Sequence, residues 1–346
     1  MSYNILGINT SHNGSVCVLS DGKVKFFLEE DRITKLKHDS FPIKLLGHIV
    51  KHYKIDEIAI SGLYTFPFNL NENIISLFIS KYFPNIPTTY YLSTHHLVHS
   101  SQAFYNSNFK ESLCIVIDGH GTELENNTFE TESIYKFSYN SPPKPILKSY
   151  RTNNGKNDFL TFSKVYESVT NYLGFGFLEA GKTMGLSSYG KYDNKIPPLY
   201  IGIKGNPEVF NLLKEKTGGG LNLKYSQIFN TEKQKINLAY HVQQESQTEI
   251  GNLIEKTIKE TGINHVCCSG GYFLNCVTNY YLIKRFPNVE FYFEPISNEA
   301  GISIGAAKLL WHQKTQDTTI RPQKTLYYGP KYSKGDLLKG IQKYLD

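Results

Sequence analysis

Ile5-Leu6-Gly7-Ile8-Asn9-Thr10-Ser11-His12-Asn13-Gly14-Ser15-Val16-Cys17-Val18-Leu19-Ser20-Asp21-Gly22-Lys23-Val24-Lys25-Phe26-Phe27-Leu28 reads as three consecutive strands, 5–8, 15–19 and 23–28. The last two meet at Asp21-Gly22, a dipeptide that accepts positive φ and is the strongest short hairpin signal. Strand one ends in a small polar loop, Asn9 to Gly14. The plan recurs at Leu113 to Ile117, which ends in Asp118-Gly119-His120-Gly121-Thr122 and precedes strand-like runs at 133–139 and 146–151. Two meanders, each with a polar loop after its first strand, indicate an internal duplication.

Each meander leads into alternating helices and strands. After the first come a helix from Pro42 with Ile43, Leu46, Ile49, Val50 and Tyr53 on one face, a strand at 57–61, a helix at 73–83, a strand at 88–92 and a helix at 95–105. After the second, an insertion of roughly 152–240 intervenes. It holds a helix at 159–172, a Gly-rich stretch Glu179-Ala180-Gly181-Lys182-Thr183-Met184-Gly185-Leu186 and a polar loop at Gly218-Gly219-Gly220. Helices at 242–261, 273–286 and 300–312 then alternate with strands at 265–268 and 290–293; a short strand and a helix at 335–344 follow Pro322. The expected fold is α/β: duplicated ribonuclease-H-type lobes of the actin-like or sugar-kinase-like kind around a central cleft. The lobes would be 1–110 and 111–322, with 323–346 a linker and stub.

Composition narrows the function classes. The 346 residues are 40% hydrophobic, enough for two cores. No apolar run reaches the ~20 residues of a membrane span, and Met1-Ser2-Tyr3-Asn4 enters a strand without a leader, so a soluble, cytoplasmic protein with no membrane partner is expected. The net charge of +6 is dispersed, and its densest cluster, Arg32, Lys35 and Lys37, is interleaved with Asp31 and Asp39, which argues against a nucleic-acid partner. The five cysteines lie in or beside apolar runs without a Cys-x-x-Cys pair and read as buried thiols of a reducing compartment.

Candidate chemistry lies in the loops. On a helix capped by Ser93 or Thr94, His95 and His99 are i and i+4, so both imidazoles leave one face at the spacing of a two-histidine metal clamp. His96 stands where a zinc peptidase carries its glutamate, which disfavours that class. The competing reading is a helix start whose three histidines are satisfied by caps or water. Lobes of this kind hold a nucleotide between polar loops: Asn9 and Ser11 in the first, Asp118, Gly119 and Gly121 in the second, and Gly270 and Gly271 at a strand-to-helix turn where backbone N–H groups suit an anion or ribose. Asn275 would reach the nucleotide or simply cap the helix. Lys182 and Gly185 suit a phosphate, or a solvated loop. His12, after strand one, is the candidate base.

Taken together, Ile5-Leu6-Gly7-Ile8 with His12, Glu29-Glu30-Asp31-Arg32-Ile33-Thr34-Lys35 with Lys37-His38-Asp39-Ser40-Phe41-Pro42, His95-His96-Leu97-Val98-His99, Asp118-Gly119-His120-Gly121, Gly181-Lys182-Thr183-Met184-Gly185-Leu186, Gly270-Gly271-Tyr272-Phe273-Leu274-Asn275-Cys276 and Gly301-Ile302-Ser303-Ile304-Gly305-Ala306-Ala307 resemble the NodU/TobZ O-carbamoyltransferase family, in order, from about residue 3 to 335. The resemblance implies carbamoyl transfer from carbamoyl-adenylate, made from ATP and carbamoyl phosphate, to a hydroxyl of a small molecule or sugar. It implies Fe(2+) or another divalent transition metal on His95, His99 and Glu299. Lys37 and His38, counted with His12 as catalytic candidates, sit in a charged segment that would order over the acceptor or is simply a solvated charge run. Glu299 departs from the family's aspartate by one methylene; should it not serve, Asp118 is the next carboxylate. The family's second, YrdC-like module would begin near Tyr327-Tyr328-Gly329-Pro330, so a separate YrdC-like partner is expected to supply the adenylate. A tRNA threonylcarbamoyl-transferase-like enzyme and a non-catalytic nucleotide-binding scaffold are the alternatives.

Overall fold

Apolar side chains alternate between two buried faces along β1 (Asn4–Asn9), β2 (Ser15–Ser20) and β3 (Lys23–Glu29), and the β2–β3 turn carries Asp21 at φ 47° and Gly22 at φ 75°, as a two-residue hairpin requires. The structure, a computed structural model, describes residues 2–62, 74–124, 128–152, 161–176, 178–212, 221–223 and 229–345. After β3 come α1 (Asp31–Thr34), α2 (Ile43–His52), β4 (Glu57–Ser61), α3 (Ile74–Tyr82), β5 (Thr88–Tyr90) and α4 (His95–Asn106). β4 runs parallel beside β1 and β5 beside β4, giving the order β3-β2-β1-β4-β5.

The second half repeats this plan. It begins with β6 (Glu111–Ile117), β7 (Glu123–Leu124), β8 (Thr128–Ser138) and β9 (Ser141–Thr152). The insertion contributes α5 (Phe162–Tyr172), α6 (Ala180–Ser187), two small hairpins of β10 (Tyr200–Ile201) with β11 (Lys204–Gly205) and β12 (Phe210–Leu212) with β13 (Leu221–Leu223), and the start of α7 (Glu232–Thr261). Then follow β14 (His265–Ser269), a 3-10 turn at Gly271–Leu274, α8 (Cys276–Arg285), β15 (Glu290–Phe293), α9 (Ile302–Thr315) and α10 (Lys334–Gln342). β14 pairs parallel with β6 and β15 with β14, so the path β9-β8-β6-β14-β15 matches the first sheet, with β7 added beside β8.

The two halves exchange their inner helices. α4 packs on β6, β8 and β14 of the second sheet, and α9 packs on β1, β2 and β4 of the first. Ile5, Cys17, Leu19 and Ala59 are therefore covered by Ile302, Ile304, Ala306 and Leu310 from the far end of the chain, while Ala103 and Phe104 cover Cys114, Phe137 and Cys267. α2 and α3 pack outside the first sheet on Leu6, Ile8, Val16 and Val18, and the core outside the second joins Leu113, Ile115 and Ile117 to residues of α5, α7 and α8. α4 and α9 also touch each other, so the layers run helix, sheet, helix pair, sheet, helix.

Several expectations shift. The Gly-rich stretch is a helix, α6, because packing on α5 and α7 outweighs the poor propensity of Gly181 and Gly185. α7 starts ten residues before the expected Val242, at a Thr231–Gln234 capping box. β9 extends through Pro142, Pro143 and Pro145, tolerated because it pairs on one side only. Residues 273–274 belong to the 3-10 turn, and α9 starts at Ile302 rather than Ala300. Among the described residues no strand follows Pro322; instead Tyr328 O accepts from Phe27 N at 3.2 Å. Cys17, Cys114, Cys267 and Cys268 are buried free thiols, but Cys276 is exposed in the first turn of α8, its Sγ 3.9 Å from Met184 Sδ. Gly218-Gly219-Gly220, like the expected helix starts at Asn73 and Phe159, lies outside the described residues. Among those residues no helix is long and apolar enough to cross a membrane.

Candidate metal centre and cleft

α4 presents His95 and His99 from one face, as i, i+4 spacing dictates. Its first turn is held by Thr122, whose Oγ1 accepts from His95 N at 3.0 Å. Asp118 projects from the end of β6, and Glu299 from a 3-10 turn ahead of α9 whose Ala300 carbonyl accepts from Ser15 Oγ at 2.6 Å. Three segments distant in sequence thus converge: one ligating atom from each of His95, His99, Asp118 and Glu299 lies within 4.8 Å of all the others, and all four residues are buried. His95 Nε2 is 3.5 Å from Glu299 Oε2 and 3.7 Å from Asp118 Oδ2; His99 Nε2 is 3.7 and 3.4 Å from the same oxygens.

Burial presses the His95 imidazole toward neutrality, yet Glu299 and Asp118 outweigh it and push it up to about 10. His99 rises in the same way. Burial also opposes ionisation of Asp118 and Glu299, but the two imidazoles hold both carboxyls well below the ordinary range. The facing atoms, Nε2 of both histidines, Oδ2 of Asp118 and Oε2 of Glu299, have no hydrogen-bond partner among the described residues. Buried polar atoms seldom remain so, and two imidazoles with two carboxylates form a donor set that suits a divalent transition metal. His99 Nδ1 lies 3.3 Å from Ser269 Oγ, which orients the ring from behind.

His96 turns the other way. Its Nδ1 lies 2.9 Å from Ser133 Oγ and 3.6 Å from Glu130 Oε2. Gly121 backs it, because a Cβ there would stand 2.6 Å from His96 Nε2. His96→Ala is therefore expected to lower stability but keep at least half of the metal bound by the parent chain, as read by elemental analysis of the folded fraction.

Asp118 and Glu299 form the floor of a cleft of about 280 Å³, whose lining includes His12, His38, Gly119, Gly271 and Asn275. The other expected site residues are placed differently. Asn9 and Ser11 are buried and turned onto their own loop: Asn9 Oδ1 accepts from Ser11 N and Oγ, and Asn9 Nδ2 donates to Asn13 O. Gly121 packs on His96, and Gly270 lies behind the cleft, its carbonyl accepting from Ser297 Oγ at 2.8 Å. Lys182 extends into solvent and pairs with Glu179 at 2.7 Å, and Gly185 faces open space. Lys37 is exposed, beside the cleft-lining His38, and is not itself part of the lining. Asn275 caps α8 by accepting from Thr278 N at 3.0 Å while its amide donates to Gln243 Oε1 at 2.8 Å.

The cleft also uses residues not singled out in the sequence. His120 and Lys164 line it; behind them buried Arg151 on β9 donates to His120 Nδ1 at 2.7 Å, and burial together with Arg151 presses that imidazole down to about 3. His120 was visible within the Asp-Gly-x-Gly motif, whereas nothing local marks Arg151 or Lys164. Tyr166 and Tyr272 form an aromatic wall, held by Tyr166 OH donating to Gln243 Oε1 at 2.9 Å and Tyr272 OH donating to Ser246 Oγ at 2.9 Å.

Two sheets that share one five-strand order, the second with β7 added, facing across a cleft floored by residues of both halves, define an actin-like, sugar-kinase-like α/β protein. The full-length HypF structure in its phosphate- and nucleotide-bound form shares this fold at 15% identity and a TM-score of 0.56, over 91% of this chain and 47% of that one. The chain belongs to the carbamoyltransferase family: the model described as "Carbamoyltransferase N-terminus" matches residues 81–308. It is 24% identical to an uncharacterised protein of Synechocystis sp., over 97% of this chain and 63% of that protein. It is 21% identical to the nodulation protein NolNO of Sinorhizobium fredii, over 92% of this chain and 49% of that protein. The chain thus spans about half to under two thirds of the length of these curated relatives.

Proposed function

We propose that this chain transfers a carbamoyl group from carbamoyl-adenylate to a hydroxyl of a small-molecule or sugar acceptor in the cleft. The observation that carries this reading is the chemistry of the cleft in a member of this family: a buried cluster of two imidazoles and two carboxylates whose inward atoms have no partner among the described residues, its carboxylates forming the floor, with the imidazoles of His12 and His38 in the lining. His95, His99, Asp118 and Glu299 would hold the ion, Fe(2+) or another divalent transition metal, which when bound supplies Lewis acidity. His12 or His38 takes the hydroxyl proton as the oxygen attacks the carbamoyl carbon; the bond from that carbon to the phosphate oxygen breaks, and AMP leaves with its electron pair. In this reading the lining residues His120 and Lys164 would meet the phosphate, and Tyr272 and Asn275 the nucleoside.

The adenylate is expected from a YrdC-like activity working on ATP and carbamoyl phosphate. The test supplies such a protein, both substrates and a panel of hydroxyl acceptors to the purified chain, and measures AMP and carbamate ester. Acceptor-dependent ester that requires both proteins supports the reading. Ester absent with every acceptor although the adenylate forms, or full turnover by this chain alone, would overturn it.

A further inference from the structure

Glu29, at the end of β3, touches neither floor nor wall of the cleft but reaches it through one side chain. Its Oε2 accepts from Asn13 Nδ2 at 3.2 Å, and its Oε1 accepts from Arg32 Nη2 at 3.0 Å. Asn13 is buried, at φ 57°, and its Oδ1 lies 3.0 Å from His12 Nδ1 and 3.2 Å from His38 Nδ1. The donor and acceptor inventory closes on itself. An ionised carboxylate only accepts, so the amide must turn its NH2 to Glu29 and its oxygen to the histidines. That oxygen in turn only accepts, so each imidazole must donate Nδ1–H to it. A neutral ring has a single N–H, which leaves each Nε2 lone pair available. Neither Nε2 has a partner among the described residues, and both rings line the cleft.

We infer that Glu29 and Asn13 are positioning residues for the proposed reaction, forming a relay that keeps His12 and His38 in the Nδ1–H tautomer so that both offer Nε2 to the cleft as proton acceptors. The inference rests on the reading of the cleft as a site of hydroxyl activation, but its structural half stands apart from it. The backbone supports the arrangement: Gly14 N donates to Asp39 O at 2.7 Å and Glu30 N to Gly14 O at 2.7 Å, clamping the His12 loop, the end of β3 and the His38 loop together. His38 is held toward neutrality by burial, then by Lys37 and His12, against the weaker opposing pull of Asp31 and Glu29.

The test is long-range proton–nitrogen NMR of the full chain with 15N-labelled histidine, loaded with zinc as a diamagnetic ion, His12 and His38 being assigned through His12→Gln and His38→Gln. Both rings should show a protonated Nδ1 and an unprotonated Nε2. Glu29→Gln, whose amide can itself donate to Asn13 Oδ1, should mix the tautomers of both rings. Asn13→Asp, an acceptor only, should preserve them. In the transfer assay Glu29→Gln should lose roughly 10- to 100-fold in kcat with KM within about twofold. Nε2–H tautomers in the parent chain, or tautomers unmoved in Glu29→Gln, would sink the relay. Correct tautomers with no transfer to any acceptor would instead count against the carbamoyl reading and leave the hydrogen-bond assignment standing.

Discussion

Purified without oxygen, the chain should carry close to one equivalent of transition metal, and His99→Ala should carry less than a tenth of that. His95→Ala should behave alike. Each substitution removes one of the two nitrogen donors from a buried cluster and leaves two carboxylates facing each other at the floor of the cleft, so the loss should exceed the ~10- to 100-fold that a supporting partner costs. The carboxylates separate two versions of the site. The resemblance assigns three ligands, His95, His99 and Glu299, whereas the geometry adds Asp118 on equal terms. Asp118→Asn and Glu299→Gln should each weaken binding by at least ~10-fold in competition with a chelator, while Glu299→Asp should retain the ion. Asp118→Asn binding as tightly as the parent would return Asp118 to a nucleotide-facing role; full occupancy in both histidine variants would remove the metal centre altogether.

The second large effect is expected far from any donor atom. Gly305 is where α9 crosses α4: a Cβ there would fall inside contact distance of the Val98 carbonyl and 3.0 Å from Val98 Cγ1. Gly305→Val should destabilise the fold by ~3 kcal/mol, the upper part of the usual overpacking range, and lower Tm by roughly 4 °C for a chain of this size. Because Val98 lies between His95 and His99, metal content of the folded fraction should drop as well. Gly47, within α2 and with nothing near its would-be Cβ, is the control, and Gly47→Ala should gain up to ~1 kcal/mol. A Gly305→Val chain that melts with the parent would show that the two helices can part without cost.

How far the sequence could be read follows from which interactions are local. Strand alternation and the Asp21-Gly22 turn depend on neighbours a few residues away, and both meanders stand where expected. The His95/His99 face is likewise dictated by helix pitch. Asp118 looked like a phosphate loop because Asp-Gly-x-Gly is what such loops contain; only its meeting with Glu299, from the opposite half, gives it another partner. Glycine content hid α6, and the polar run 232–241 hid the first turns of α7, although Thr231 and Gln234 spelled its capping box. Arg151 was illegible for a deeper reason: a lone arginine beside a strand reads as surface, and its burial beneath His120 is a property of the assembled cleft.

The exchange of α4 and α9 also bears on how the chain is made. Ser15 bonds Ser303, its neighbour across β2 and α9, over a separation of 288 residues. At ~5–20 residues per second a ribosome needs roughly 15–60 s to bridge that gap. Throughout that interval Ile5, Cys17, Leu19 and Ala59 have no cover, and α4, already synthesised, awaits a sheet that does not yet exist. The nascent first half is thus a natural client for a chaperone that shields open sheet faces. Cutting the chain at the sequence boundary near residue 110 should give two fragments that precipitate apart and dissolve only when synthesised together.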